Sequence, residues 1–233
     1  MGQSSQSIST DRPDQTESPN LVPSKYFQME CGLTYEKLNK DFTSIAHPTC
    51  LLRYGVNERF ELRLVAELLS NKSFGVHKVV LPPIEIGFKT HLVEEKDWIP
   101  KISFIGHLVI PKLASPTERL SNLATSFRFT LQHSLSNRFS LGYNLGAAWD
   151  GENTEASFVY TLSLGMAFLD KLSSYIELYG FVPDGMQEDH RIDAGFVYLI
   201  NSNLQLDLSG GLGLSPSSPK YFVGLGVSYR YKT

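Results

Sequence analysis

The chain has 233 residues, of which 42% are hydrophobic and 19% are charged, and its formal net charge is −3 at pH 7. It has no continuous apolar run of transmembrane-helix length, which excludes a helical membrane protein. It also has no basic stretch or aromatic RNA-binding motif, so nucleic acid is not an expected partner.

Apolar and polar residues alternate in about twelve segments, which predicts an all-β fold of antiparallel strands. Most segments have the roughly 9 to 11 residues that a tilted strand needs to cross a bilayer. The expected strands lie near residues 26–36, 48–56, 58–68, 79–92, 100–110, 124–134, 138–149, 155–168, 171–182, 190–200, 203–214 and 220–231.

The links between these strands alternate in length. Tight turns are expected at Asn57, Asn137, Asp170 and Ser202, and longer polar links at 37–47, 111–123 and 182–189. Short turns at one rim and long loops at the other are typical of an up-and-down outer-membrane barrel. With an even number of strands, both termini are expected at the periplasmic rim.

The two faces of the strands distinguish a membrane barrel from a soluble sandwich. In residues 138–149, Leu141, Tyr143 and Leu145 alternate with small or hydrogen-bonding residues. A soluble surface would carry more Lys and Glu and fewer mid-strand glycines, and twelve strands enclose more space than such an apolar face could fill. We therefore expect the apolar face to meet lipid. The expected periplasmic aromatic girdle is Tyr54, Phe60, Phe139, Phe168 and Tyr198.

Several segments together resemble one known family. They are residues 9–36, 54–64, 86–111, 126–152, 189–215 and 221–231. They are similar to the outer-membrane transporter family of the phenol-degradation meta pathway, whose Bacteroidota members are often labelled simply "transporter". The resemblance covers nearly the whole chain. It implies a bacterial outer-membrane location and passage of small aromatic or hydrophobic compounds.

The last strand also resembles a known signal. Gly226 is followed by Tyr229 and Tyr231, an arrangement similar to the terminal strand that the barrel-assembly machinery reads. An ordinary lipid-facing strand end is the alternative, and Lys232 and Thr233 extend past the usual terminal aromatic residue.

The inward face of the predicted barrel carries charges of both signs. They are Arg53, Glu61, Arg63, Glu67, Glu85, Lys89, Arg128, Glu177, Arg191, Asp193, Asp207 and Arg230. Charges in a narrow, low-dielectric space need partners, so we expect an ion-pair and hydrogen-bond network that braces the wall. A substrate site is the alternative, and the two roles are compatible.

Residues 1–24 are expected to form a separate segment before the barrel of residues 25–233. This segment is too rich in proline and polar residues for a strand, and it resembles the N-terminal signature of the family. It is either a disordered periplasmic tail or a plug in the periplasmic mouth, with Asp11, Arg12 and Asp14 as the plug candidates. The expected plug contacts are Arg12 with Glu61 or Asp207, and Asp11 or Asp14 with Arg63 or Arg230.

The sequence favours a protein without catalytic, metal or cofactor sites. It contains no Gly-x-Ser-x-Gly, His-Glu-x-x-His or phosphate-loop motif. His133, on the apolar face beside a tight turn, is the one candidate for a phospholipase-like reaction, and we expect it to be an interfacial imidazole instead. The other histidines lack metal-ligand spacing: His47, His77, His91, His107 and His190.

Cys31 and Cys50 fall nearly opposite each other on the lipid face of the first two strands. The export route is oxidising and permits a disulfide. Directly opposed strand positions strain the geometry of a disulfide, so we expect two separate thiols that behave as apolar residues.

The function expected from these features is passive or facilitated passage of a small solute across an outer membrane. The alternative is a closed-lumen barrel that serves as a structural element or binds a partner. Expected partners are outer-membrane lipid, the barrel-assembly machinery and the solute, while the oligomeric state stays open. No signal peptide is recognisable, and Met1 and Gly2 before a polar stretch suggest a start placed on a mature sequence.

Overall fold

A computed structural model describes residues 7–233, so the first six residues of the expected N-terminal segment lie outside the described part of the chain. Within residues 7–233, thirteen antiparallel strands form one sheet, and the pairing of β2 with β3 closes it into a barrel. The strands are β1 (Tyr26–Lys37), β2 (Phe42–Asn57), β3 (Phe60–Ser73), β4 (Val76–Val80), β5 (Glu85–Val93), β6 (Lys101–Val109), β7 (Ala124–Ser134), β8 (Phe139–Trp149), β9 (Ser157–Leu169), β10 (Leu172–Pro183), β11 (Asp189–Asn201), β12 (Leu204–Gly213) and β13 (Tyr221–Lys232).

The thirteen strands occupy twelve positions in the wall. Both β4 and β5 pair with β3, β4 along residues 69–73 and β5 along residues 60–65. Pro82 and Pro83, which have no backbone N–H to donate to a ladder, lie between β4 and β5. The expectation of one continuous strand at 79–92 was therefore wrong, whereas the twelve-position closed barrel is confirmed.

One rim has tight turns, at residues 58–59, 170–171 and 202–203, and β1 begins and β13 ends at this same rim. The opposite rim carries the longest link, residues 110–123. The expected long loop at 37–47 was wrong, because β2 already begins at Phe42 and leaves only residues 38–41 as a turn.

The strand expected at 58–68 also ends later than predicted, because β3 continues to Ser73 and forms a hairpin with β4. Its turn consists of Phe74 and Gly75, with φ angles of 47° and 83°. Two successive residues with positive φ match the twist of a two-residue hairpin, and glycine accepts this conformation without steric cost.

Cys31 and Cys50 are disulfide-bonded, with their Cα atoms 4.2 Å apart. They are directly opposed in the β1–β2 ladder. The expectation of two separate thiols was therefore wrong. The two strands approach closely enough at this pair for the bond to form, which the sequence spacing alone does not reveal.

The barrel places apolar side chains outside and polar side chains inside, the reverse of a soluble protein. Leu145, Phe158 and Leu225 are exposed on the outer face, while the largest fully buried side chains include Arg53 and Lys89. Near the tight-turn rim, aromatic residues face outward, among them Phe139, Phe168 and Tyr198. Within the described residues, none of the helical structure is long and apolar enough to cross a membrane.

An arginine in the middle of the lipid-facing surface tests this orientation. Leu145 is 57% exposed in the centre of β8. The substitution Leu145→Arg would therefore place a charge in the hydrocarbon of the membrane. We expect a loss of about 2–4 kcal/mol in the free energy of unfolding, measured by urea titration of the barrel in lipid vesicles.

The matched control is Leu135→Arg, which is equally exposed at 57% but lies in the β7–β8 turn at the rim. There the cost should fall to about 0–1 kcal/mol. Equal costs at the two positions would contradict a membrane-embedded β8.

Candidate functional site

The twelve charged residues that the alternation along the strands assigns to the lumen differ in burial. Eight are buried: Arg53, Glu61, Arg63, Lys89, Glu177, Asp193, Asp207 and Arg230. Four are partly exposed: Glu67, Glu85, Arg128 and Arg191. Many of them contact a second element inside the barrel, the N-terminal segment of residues 8–22, which we call the lumen segment.

The lumen segment has no regular secondary structure, and wall side chains satisfy its backbone instead. The backbone N–H groups of Asp11 and Arg12 donate to Glu30 Oε2 at 2.8 and 3.1 Å. Further along, Glu17 N donates to Asn144 Oδ1 at 2.7 Å. Buried backbone groups need such partners, so the wall specifies the path of the segment.

The Asp11 carboxylate lies among three cations of the wall. Its Oδ2 atom is 2.7 Å from Arg63 Nη1, 2.8 Å from Lys89 Nζ and 3.2 Å from Arg53 Nη1. Burial alone would raise the pKa of Asp11, but the attraction of Arg53, Lys89 and Arg63 outweighs it and lowers the pKa below its usual range. Asp11 is therefore ionised at neutral pH.

Glu17 adds a second carboxylate on the same side of the lumen. One of its oxygens accepts a hydrogen bond from Arg63 Nη2 at 2.7 Å, and the other is 3.9 Å from Arg128 Nη1. Burial opposes ionisation, yet the charge of Arg63 lowers the pKa of Glu17. Arg63 thus bridges two carboxylates of the lumen segment and Glu61 of its own strand.

Arg12 contacts the opposite side of the barrel. Its Nη2 atom is 3.0 Å from Asp207 Oδ1 on β12. Gly32 and Gly226, directly opposed in the β1–β13 ladder, leave room for the guanidinium. A Cβ on Gly32 would lie 2.2 Å from Arg12 Cζ, and one on Gly226 would lie 2.5 Å from Arg12 Nε.

Gly226 therefore faces inward, away from the aromatic residues of the expected assembly signal. Tyr229 and Tyr231 face outward, with their rings stacked at 6.1 Å. Gly226 makes room for the Arg12 side chain. Of the three residues in the expected signal, only Tyr229 and Tyr231 lie on the outer surface of the barrel.

Asp14, the third plug candidate, faces acidic residues of the wall. Its Oδ2 atom accepts a hydrogen bond from Ser163 Oγ at 3.1 Å. In the strand ladders, Glu177 is directly opposite both Ser163 and Asp193. Burial and, next, the negative charge of Glu177 raise the pKa of Asp14 well above its usual value. This side of the lumen thus concentrates acids.

Two cavities adjoin the lumen segment. One, of about 400 Å³, opens toward the tight-turn rim and is lined largely by small polar residues such as Ser140, Ser163 and Ser174. The other, of about 380 Å³, lies toward the long-loop rim, with Tyr179 and Arg191 in its lining. Arg12 and Pro13 line both cavities, so the segment separates them.

Sequence reasoning missed several residues that hold the lumen segment. Glu30 binds two of its backbone N–H groups, and Asn144 contacts Glu17 from β8. Asn144 lies on the hydrogen-bonding face that alternation in residues 138–149 assigns to the lumen, and the same period-2 pattern in β1 would have identified Glu30.

Two of the histidines contact tyrosine hydroxyls of the wall. His133 Nε2 lies 3.3 Å from the Tyr143 hydroxyl, and the two rings stack at the tight-turn rim. His190 is similarly bonded to the Tyr160 hydroxyl at 2.8 Å. Within residues 7–233, no group of three or more His, Cys, Asp or Glu side chains could hold a metal ion.

Comparisons with known proteins agree with this architecture. The family model described as "Putative MetA-pathway of phenol degradation" matches residues 10–231. An outer membrane channel from Pseudomonas putida F1 is 12% identical, with a TM-score of 0.72 over 91% of this chain and 97% of that one. No curated protein sequence matches the chain.

Two further solved structures share the fold. The KdgM porin in complex with disordered oligogalacturonate is 12% identical, with a TM-score of 0.57 over 88% of this chain and 98% of that one. The CymD monoaromatic hydrocarbon channel is 10% identical, with a TM-score of 0.50 over 91% of this chain and 89% of that one. These likenesses show that the outer-membrane channel fold is common to all of them.

Removing Arg63 tests the charge network. In Arg63→Ala, the buried carboxylates of Asp11, Glu17 and Glu61 lose a shared cation. We expect the free energy of unfolding to fall by about 3–5 kcal/mol, measured by urea titration.

The control for this prediction is Lys78→Ala, which removes an ion pair with Glu118 in which the lysine side chain is 51% exposed. Its expected cost is at most about 1 kcal/mol, because water screens an exposed pair. A cost for Arg63→Ala as small as that of the control would disprove the buried network.

Proposed function

The chain belongs to the MetA-pathway family of phenol degradation, and from this we propose that it is an outer-membrane channel for passive or facilitated passage of a small solute. The observation that carries the proposal is a closed barrel whose lumen holds its own N-terminal segment between two cavities. We further propose that its partners are outer-membrane lipid, the solute and, through Tyr229 and Tyr231, the barrel-assembly machinery.

The lumen segment is suited to act as a plug. The strand ladder that closes the barrel begins at Tyr26 and uses no residue of the segment. Its polar contacts with the wall are ion pairs and hydrogen bonds, such as Asp11 with Lys89 and Arg12 with Asp207, and Ile8 and Val22 are buried beside them. Such contacts can open while the wall remains paired.

The name of the family implies small aromatic compounds as solutes. The related structures indicate that barrels of this shape serve more than one solute class, since one is a monoaromatic hydrocarbon channel and another is in complex with oligogalacturonate. The lumen of this chain is polar and charged, with Arg63 and Glu177 among its buried residues, which suits a solute with a polar group.

A closed-lumen barrel with a structural or partner-binding role is the second candidate. The dense contacts of Asp11 and Arg12 support it, because they leave the lumen occupied. Enzymatic activity has no support from the described side chains, and we propose none. Conductance of the full-length chain distinguishes the two candidates, because only a channel shows resolved openings with its segment present.

Deleting residues 1–23 tests the proposal. The barrel should still assemble, because its first strand begins at Tyr26. We expect a clear rise in single-channel conductance in planar bilayers over the full-length chain, since the two cavities would join.

Arg12→Ala should raise conductance partially, because it loses Asp207 while the contacts of Asp11 remain. Arg59→Ala, in the β2–β3 turn and outside the lumen, provides the control and should leave conductance unchanged. An assembled, heat-resistant truncation that is electrically silent would support the structural role instead.

A further inference from the structure

We infer that Arg53, Arg63 and Lys89 form a carboxylate-binding site, which Asp11 occupies as an internal ligand and for which a small monocarboxylate solute competes. The inference rests on the proposed channel function and deepens it by naming the solute class. It concerns one side of the lumen, formed by β2, β3 and β5.

The register of the strands makes an anion necessary here. Arg53 and Arg63 are directly opposite each other in the β2–β3 ladder, and Lys89 faces Glu61 in the β3–β5 ladder. Like charges directly opposed on neighbouring strands destabilise a sheet, and burial increases the penalty. All three cations have buried side chains, with exposures of 0% to 2%.

The wall supplies only part of the neutralising charge. Glu61 contacts Arg53 and Arg63, at 2.8 and 3.1 Å, and Glu30 contacts Arg53 at 2.8 Å. Two wall carboxylates against three wall cations leave one positive charge over. In the plugged state Asp11 contacts all three cations and balances this excess, whereas Glu17 contacts only Arg63 among them and is shared with Arg128.

Lys89 shows how far the site depends on the lumen segment. Its Nζ atom donates to Asp11 Oδ1 and Oδ2 at 2.9 and 2.8 Å and to the Ser18 carbonyl at 2.7 Å. All three acceptors belong to the segment. When the segment leaves, the ammonium exchanges these contacts for water or another anion.

The geometry selects a carboxylate among anions. Lys89 contacts both oxygens of Asp11, while Arg53 and Arg63 both approach Oδ2 through Nη1 atoms. The two oxygens of one planar group thus accept hydrogen bonds from Lys89 and Arg63 and lie within ion-pair distance of Arg53, and such charge-assisted contacts are stronger than neutral ones. A solute carboxylate that reaches these cations as the segment moves can take the place of Asp11, and this exchange would keep the plug released.

The test is chemical rescue of the full-length variant Asp11→Gly, which removes the internal carboxylate and leaves space for an external one. Without added anion, its thermal unfolding midpoint in detergent should fall below that of the unsubstituted protein. Acetate or benzoate should restore most of the loss, whereas acetamide, benzamide and chloride at equal ionic strength should not.

The matched control is Arg12→Ala, which weakens the contact of the same segment with Asp207 on the other side of the lumen. Its midpoint should be insensitive to the choice between acetate and acetamide. Combining Asp11→Gly with Lys89→Met should abolish the rescue, because the donor to both carboxylate oxygens is gone.

If Asp11→Gly assembles only with acetate in the refolding buffer, that requirement is itself the expected rescue. If it fails to assemble under all conditions, Asp11→Asn is measured instead, and a larger stabilisation by benzoate than in the unsubstituted chain is expected. Equal responses to benzoate and benzamide in the measured variant would overturn the carboxylate site.

Conductance of the same Asp11 variant separates this inference from the channel proposal. If carboxylates rescue the thermal unfolding midpoint of a barrel that does not conduct, the carboxylate site stands and the channel proposal is disproved. If the barrel conducts but carboxylates change neither its thermal unfolding midpoint nor its current, the channel proposal stands and the carboxylate site is disproved.

Discussion

The structure depends on the cost of enclosing charge in a narrow lumen. Arg53, Arg63 and Lys89 are buried on adjoining strands, and the wall carboxylates Glu30 and Glu61 compensate for only two of them. The lumen segment provides the remaining negative charge. Removing one partner from this buried group of charges costs more free energy than removing an exposed ion pair. The segment and the wall therefore specify each other's positions. The path of residues 8–22 is thus a consequence of charge compensation.

The period-2 pattern explains how one sequence produces two incompatible surfaces. Each β-strand points successive side chains to opposite faces, so Leu145 meets lipid while its neighbour Asn144 binds the lumen segment. Small residues on the inner face create the space that the segment needs. Gly32 and Gly226 illustrate this, because any larger side chain at either position would occupy the volume of the Arg12 guanidinium.

Alternation and charge predict which way a side chain points better than they predict where a strand ends or how closely two strands approach. Alternation and turn residues predict twelve wall positions and the inward direction of Glu61 and Arg63. The charges of the N-terminal segment and of the inward face leave Glu61 and Asp207 open as partners of Arg12, and the structure pairs it with Asp207, 195 residues away in sequence. The Cys31–Cys50 bond was misjudged because it depends on how closely β1 and β2 approach at that pair. The extra length of β2 and β3 was missed because each strand continues past the segment whose alternation is clearest.

The arrangement of Asp11 and Arg12 has a consequence for opening. These adjacent residues pair with opposite sides of the lumen, so the segment acts as a brace across the barrel. A displacement that frees Asp11 from its three cations also pulls on the Arg12–Asp207 pair, because one peptide bond joins the two residues. Added salt screens buried pairs only weakly, so ionic strength is a poor trigger. A ligand that replaced Asp11 directly would compensate the cations as it freed the segment, so under the proposed plug function a chemically matched anion would be a more effective trigger than salt.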